Sequence, residues 1–263
     1  MKHLTQFITE YIVKKNLDKA IDSKDHYDYF PKTKEELADN IKELFDKGET
    51  DLNCIDTSKI TDMSYLFGTF NNIKNISFNV SNWNVSNVTN MSYMFYDCKK
   101  FNCDLSSWYV NKVEDMSHMF CGCLNFEGKG IDKWDVSNVN NMKYIFCGCE
   151  NFDCDLSKWN IHNIKDTESM FFGCEKFKGK GVEKWNVSNV TRMNYMFSEC
   201  SEFDCDLSNW NVSKVTSMRH MFDGCEKFEG KGLEKWNVSN VNYMNYIFDG
   251  CTSLKNKPSW YKE

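Results

Sequence analysis

Several features are scarce or missing in this chain of 263 residues, and each absence closes a class of function. There are only two prolines, Pro31 and Pro258, and both lie outside the repeated region described below. The opening MKHLTQFITEYIVKKNLDKA is interrupted throughout by charged and polar side chains. It has neither the unbroken apolar run nor the small-residue cleavage site of a secretory signal. It carries no lipidation box. No stretch reaches the roughly 18 consecutive apolar residues that a membrane-spanning helix requires. The expectation is a product that is soluble and cytoplasmic as synthesised. Positive charge is also lacking: the net charge is −6, so a polyanion such as nucleic acid is a poor partner. Of the five histidines, His3, His26, His118, His162 and His220, none sits in a metal or triad motif. There is no Walker loop, no G-x-S-x-G and no H-E-x-x-H. No catalytic residue, cofactor or metal is expected, and the chain reads as a non-enzyme.

What is present is a repeat. Trp83, Trp108, Trp134, Trp159, Trp185, Trp210 and Trp236 follow one another at alternating gaps of 25 and 26, and Trp260 closes the series after 24. Cys98, Cys123, Cys149, Cys174, Cys200, Cys225 and Cys251 keep the same beat. Counted on their Met/Phe segments, from Met63 and Phe67 to Met244 and Phe248, there are eight copies. The first is degenerate, with Ile55 in the Trp position and a longer link to the next copy through residues 71–82.

Each copy carries two periodic signals. Val88, Met91, Met94, Phe95 and Cys98 fall on one face of a short helix, with Thr89 (and Thr191, Thr216) placed as an N-cap and Gly122, Gly148, Gly173, Gly224 and Gly250 placed as C-caps. Phe101, Cys103 and Leu105 then alternate with Asn102, Asp104 and Ser106, the period of a strand. Neither element is stable alone, so the units must stack. The expected fold is α/β: a right-handed solenoid of about eight coils over 51–256, one short parallel strand and one short helix per coil. Residues 1–50 read as a helical N-terminal cap. Its first stripe is Leu4, Phe7, Ile8, Tyr11 and Ile12, and its second helix begins at the Thr33–Glu36 capping box with Leu37, Ile41, Leu44 and Phe45 inward. Residues 257–263 form the other cap.

The alternation of 25 and 26 doubles the true period to 51. Units of the type FNCDLSSW interleave with units of the type FEGKGIDKW. One consequence is a mixed column in which Asp104, Asp155 and Asp206 alternate with Lys129, Lys180 and Lys231, avoiding like charges side by side. A second column, Asn102, Glu127, Asp153, Lys178, Asp204 and Glu229, is mainly acidic and could meet basic partners or cations, or simply face solvent. A third consists of Tyr65, Tyr93, His118, Tyr144, Ser169, Tyr195, His220 and Tyr246, each one residue before a core Met, Leu or Ile. It is either an amphipathic contact stripe or a seal between neighbouring coils.

The 13 cysteines admit a metal or redox cluster around Cys98, Cys103, Cys121, Cys123, Cys147, Cys149 and Cys154. They also fit a ladder of buried reduced thiols that recur because the unit recurs. Cys121 and Cys147 stand apart, being additional and equivalent, one unit from each other. The frequent N-x-S/T triplets, such as Asn84-Val-Ser, read as turn chemistry rather than glycosylation sites.

From Met63 to Tyr261, the phrases NWNVSNVTNMSYMF, FNCDLSSW and KWNVSNVTRMNYMF resemble the 25- or 26-residue repeat of BspA-type leucine-rich-repeat surface proteins, including the mycoplasma lipoprotein class. The resemblance implies a leucine-rich-repeat-like fold and adhesion to a protein or glycan ligand. Without a signal or anchor, it also implies a virion or host-interaction component of a phage or virus. Two further functions stay open: a self-associating structural element and a metal- or redox-responsive protein.

Overall fold

The computed structural model describes residues 27–262, and the first amphipathic stripe of the expected cap, on Leu4 to Ile12, lies outside them. One α-helix is present among the described residues, α1 (Lys34–Asp46), starting where the capping box places it. The Thr33 hydroxyl accepts the Glu36 N–H, and the Glu36 carboxylate reaches back to the Lys32 N–H at 2.7 Å. Leu37, Ile41 and Leu44 are buried against the first unit, Phe45 meets Phe78 edge-on, and Lys34 bonds both Asp62 and Ser64 at 2.9 Å.

The short helix expected in every unit is not there. The segment is a run of tight turns. In the second unit, the N–H groups of Met94, Tyr96, Cys98 and Phe101 return to the carbonyls of Met91, Tyr93, Phe95 and Cys98. The N–H groups in between leave the unit: Met91, Tyr93, Phe95 and Asp97 donate to Asp115, Ser117, Met119 and Cys121 of the next one at 2.7–2.9 Å. Half of the segment's donors therefore close turns and half stitch neighbouring units, a division no α-helix permits. Tyr93 (φ 57°) and Asp97 (φ 60°) are left-handed, which breaks a right-handed helix twice in five residues. The glycines placed as helix C-caps are left-handed as expected, but Gly122 and its equivalents occupy the third position of a turn. Thr89, placed as an N-cap, instead donates its hydroxyl to the Thr61 carbonyl of the preceding unit.

The expected strand is also displaced. Along Phe101–Leu105 only the Leu105 N–H reaches the next unit, at Lys129. A parallel bridge at the expected strand position occurs between Asp51 and Asn79, and the other bridges between units fall elsewhere: Asp62, Asn90, Asp115 and Asn141 in one series, Asp166, Arg192, Ser217 and Tyr243 in another. The alternation of burial does hold, with Phe101, Cys103 and Leu105 inside and Asn102 and Ser106 outside.

Three side-chain ladders bind the units. The rings of Phe67, Phe95, Phe120, Phe146, Phe171, Phe197, Phe222 and Phe248 stack at centroid spacings of 5.3–6.0 Å. Every Trp of the series donates its indole N–H to a buried carbonyl of the preceding unit, as Trp159 does to Ile131 at 2.9 Å. The thiols of Cys123, Cys149, Cys174, Cys200, Cys225 and Cys251 donate to the carbonyl of the Phe one unit back at 3.0–3.1 Å. That carbonyl also accepts the N–H that closes its own turn, so the thiol fills its second lone pair. Among the described residues no buried side-chain polar atom is left without a partner.

The N-V-S-N-V phrase resolves into two devices. The first Asn accepts the N–H two residues on (Asn84 to Ser86, Asn186 to Ser188), an Asx-turn. The second donates to a carbonyl of the preceding unit (Asn87 to Ser58, Asn189 to His162).

The doubled period has a cause beyond charge. In the longer units Gly130, Gly181 and Gly232 are left-handed (φ 90°, 96° and 89°) and lead into 3-10 turns at Ile131–Lys133, Val182–Lys184 and Leu233–Lys235. A Cβ at these glycines would collide with the backbone nitrogens of Ser106, Ser157 and Ser208 in the shorter unit before. The long unit nests on the short one.

Candidate interaction faces

The charged columns are spent largely on themselves. Lys129 pairs with Asp104 at 3.5 Å and Lys180 with Asp155 at 3.0 Å, as the alternation anticipates, while Lys231 turns to Asp204 and Glu229. Asp104, Asp155 and Asp206 each accept the N–H two residues ahead, from Ser106, Ser157 and Ser208. That backbone bond is the first cause of their depressed pKa values, which for Asp155 falls to about 2. In the second column Asn102, Asp153 and Asp204 accept the backbone N–H of Glu127, Lys178 and Glu229, and Lys178 also pairs with Asp153 at 2.6 Å. These side chains build turns and link units, so little of the acidic character is left to attract a cation. Their ion pairs are exposed and contribute little to stability.

The aromatic column is organised differently. Tyr65, Tyr93, His118 and Tyr144 stack face to face, with centroids 4.2–4.5 Å apart and planes within 10°. Tyr195, His220 and Tyr246 form a second stack at 4.6 and 4.9 Å. Ser169 separates the two, and Phe172 from the same unit sets its ring edge-on against Tyr195. The faces of the rings are thus consumed by one another. What the column offers outward is a row of ring edges, phenol hydroxyls and imidazole nitrogens. Burial raises the phenol pKa of Tyr93 to about 12 and raises that of Tyr144. Both hydroxyls remain neutral donors at pH 7.

Every residue of this column is left-handed, with φ between 51° and 59°. A turn with that geometry ordinarily takes Gly or Asn. Four residues on, the unit's second left-handed position does so in five units, at Gly122, Gly148, Gly173, Gly224 and Gly250, while Asp97 and Glu199 depart and Thr69 of the first unit is not left-handed. The sequence therefore uses glycine where the fold alone decides, and a ring where it does not.

His118 is sandwiched between Tyr93 and Tyr144, and burial, reinforced by Lys143, lowers its pKa. A histidine with a depressed folded pKa binds fewer protons folded than unfolded, so its contribution favours folding above the unfolded value of about 6.5 and is lost as pH falls below it. Melting temperature should fall between pH 7 and pH 5 more steeply in the wild type than in His118→Tyr. Parallel pH profiles for the two would refute this assignment.

The cysteines divide by place. Cys98, Cys123 and Cys149 are fully buried, with thiols pushed up by burial, while Cys103 and Cys154 sit at the edge of the core. Cys121 and Cys147 are half-buried on another line of the surface. Among the described residues no group of three or more His, Cys, Asp or Glu is disposed to hold a metal ion, and no helix is long and apolar enough to cross a membrane.

Compared with known families, the chain matches the one described as Mycoplasma protein of unknown function, DUF285, three times in overlapping register, over residues 39–153, 107–181 and 144–261. No curated protein and no solved structure matches it.

Proposed function

For a chain that belongs to the DUF285 family of mycoplasma-type repeat proteins, we propose that it is a non-enzymatic interaction module of adhesion type that binds protein ligands along its aromatic column. The observation that carries this is the contrast between the two left-handed positions of the unit. A non-glycine residue there costs on the order of 1–2 kcal/mol. A stacked ring pair returns about 0.5–1.5 kcal/mol. The column is therefore close to neutral for stability, and its outward edges are the reason to keep rings rather than glycine.

The same geometry favours protein over glycan. Sugars are gripped by ring faces, and here most faces are covered by a neighbouring ring, except at the outer ends, Tyr65 and Tyr246, which are 47% and 60% exposed, and on the Ser169 side of Tyr144 and Tyr195. Edges bearing hydroxyls and imidazoles suit the mixed polar and apolar surface of a protein. The unit-by-unit hydrogen bonding supports a solenoid as the scaffold, with leucine-rich-repeat-like stacking but with turns in place of the helices of that class. A solenoid presents such a column as one extended stripe.

Ser169 shows that serine is accepted at this left-handed position (φ 51°). The test uses Tyr93→Ser/Tyr144→Ser/Tyr195→Ser beside the wild type on arrays of purified proteins and of glycans. The expected result, at a temperature where both proteins are folded, is binding to arrayed proteins that drops at least about tenfold in the triple variant, equivalent to 1.4 kcal/mol. Serine keeps the left-handed strain and loses the stacking, so the melting temperature falls but stays above that of the assay. Protein binding undiminished by the substitutions, or binding to glycans alone, would sink the reading.

A further inference from the structure

Cys121 and Cys147 occupy the same position in successive units, where backbone bonds fix their register: Gly122 N–H donates to the Cys147 carbonyl at 2.7 Å, and Phe120 N–H to Ile145 at 2.9 Å. Paired backbones of this kind run about 4.8 Å apart, inside the window of about 4.4–6.8 Å between Cα atoms that a disulfide spans. The two side chains are close enough to perturb each other's ionisation. Both are half-buried and free.

No other pair in the repeat combines these properties. Cys123 and Cys149 are one unit apart but wholly buried, each held by a Phe carbonyl. Cys103, Cys154 and Cys205 recur every 51 residues, so an intervening unit separates them. In the Cys121/Cys147 column the flanking units carry Tyr96 and Phe172, 38% and 36% exposed, so the two thiols lie between aromatic rings.

We propose that Cys121 and Cys147 are a reversible redox site, a vicinal dithiol that closes to an inter-unit disulfide by exchange with a low-molecular-weight disulfide of the glutathione class. One thiolate of the pair attacks one sulfur of the oxidant, forming a mixed disulfide and releasing one reduced thiol. The other cysteine of the pair then attacks that mixed disulfide, forming the Cys121–Cys147 bond and releasing the second thiol. The oxidant's S–S bond breaks, it gains two electrons, and the two protein thiol protons end on the two released thiols. The core thiols take no part, because burial opposes their ionisation and shields them from the oxidant.

The test incubates the folded chain with oxidised glutathione and maps the products by mass spectrometry. The expected product is a Cys121–Cys147 linked peptide pair carrying no glutathione, reopened by dithiothreitol and complete before any thiol of the buried column reacts. In Cys121→Ser the reaction should stop at a glutathione adduct on Cys147. The proposal is overturned by separate glutathione adducts on both cysteines. It is equally overturned if both stay free, whether or not the half-exposed Cys54 is modified.

Discussion

Replacing Trp159 by alanine should cost about 3–5 kcal/mol, the range for deleting a buried large aromatic, and Trp159→Phe clearly less. Trp159 is 3% exposed and lies against Phe146, with ring centroids 5.8 Å apart. Alanine leaves a cavity under that ring. It also strips the Ile131 carbonyl of its indole donor. That carbonyl keeps the Trp134 N–H at 3.1 Å, so it loses one of two partners and is not left unpaired. Phenylalanine keeps most of the ring volume and loses the hydrogen bond, so the gap between the two variants separates packing from polar satisfaction. Because Trp159 sits mid-array and each unit is held by its neighbours, the damage is concentrated at one junction. Urea unfolding followed by the remaining tryptophans should lose its single transition in Trp159→Ala and unfold in two steps. A midpoint within error of wild type for Trp159→Ala would show that the indole ladder does not bind the units.

The sequence revealed the core of this stack but not its backbone. The 25/26 spacing of Trp108, Trp134 and Trp159 gave the register, and the positions of Met91, Phe95 and Cys98 gave the buried side. Both follow from burial, which any repeating backbone must satisfy. The error lay in equating i, i+3, i+7 spacing with a helix. Consecutive turns closed by bonds three residues long produce the same spacing. What chooses turns is the row of carbonyls at Asp115, Ser117, Met119 and Cys121, which exists only once the next unit is in place. One local signal was readable: Asn90-Met-Ser92 and Asp115-Met-Ser117 are Asx-turn pairs at the start of the supposed helix. The aromatic column was legible as a line of half-exposed residues. Its left-handed backbone was not, because a turn rule places Gly or Asn there and gives no signal for Tyr.

Gly181→Ala should destabilise by about 2–5 kcal/mol, the sum of strain at a left-handed φ and overpacking. An alanine at φ 96° lies outside the narrow left-handed basin open to L-residues. The added methyl would also collide with the backbone of Leu156 and Ser157, which cannot swing aside as a side chain would. Those residues are fixed on both sides, since the Leu156 N–H donates to Lys180 at 3.0 Å and its carbonyl accepts the Trp185 indole at 3.1 Å. Gly148→Ala supplies the comparison. Gly148 is also left-handed, at φ 71°, but its methyl would meet only the Gly122 backbone at 3.7 Å, an ordinary contact. It should show strain without collision and cost about 1–2 kcal/mol. The difference between the two midpoints measures the nesting of a 26-residue unit on a 25-residue one. Equal losses would mean that the doubled period reflects charge alternation and not shape.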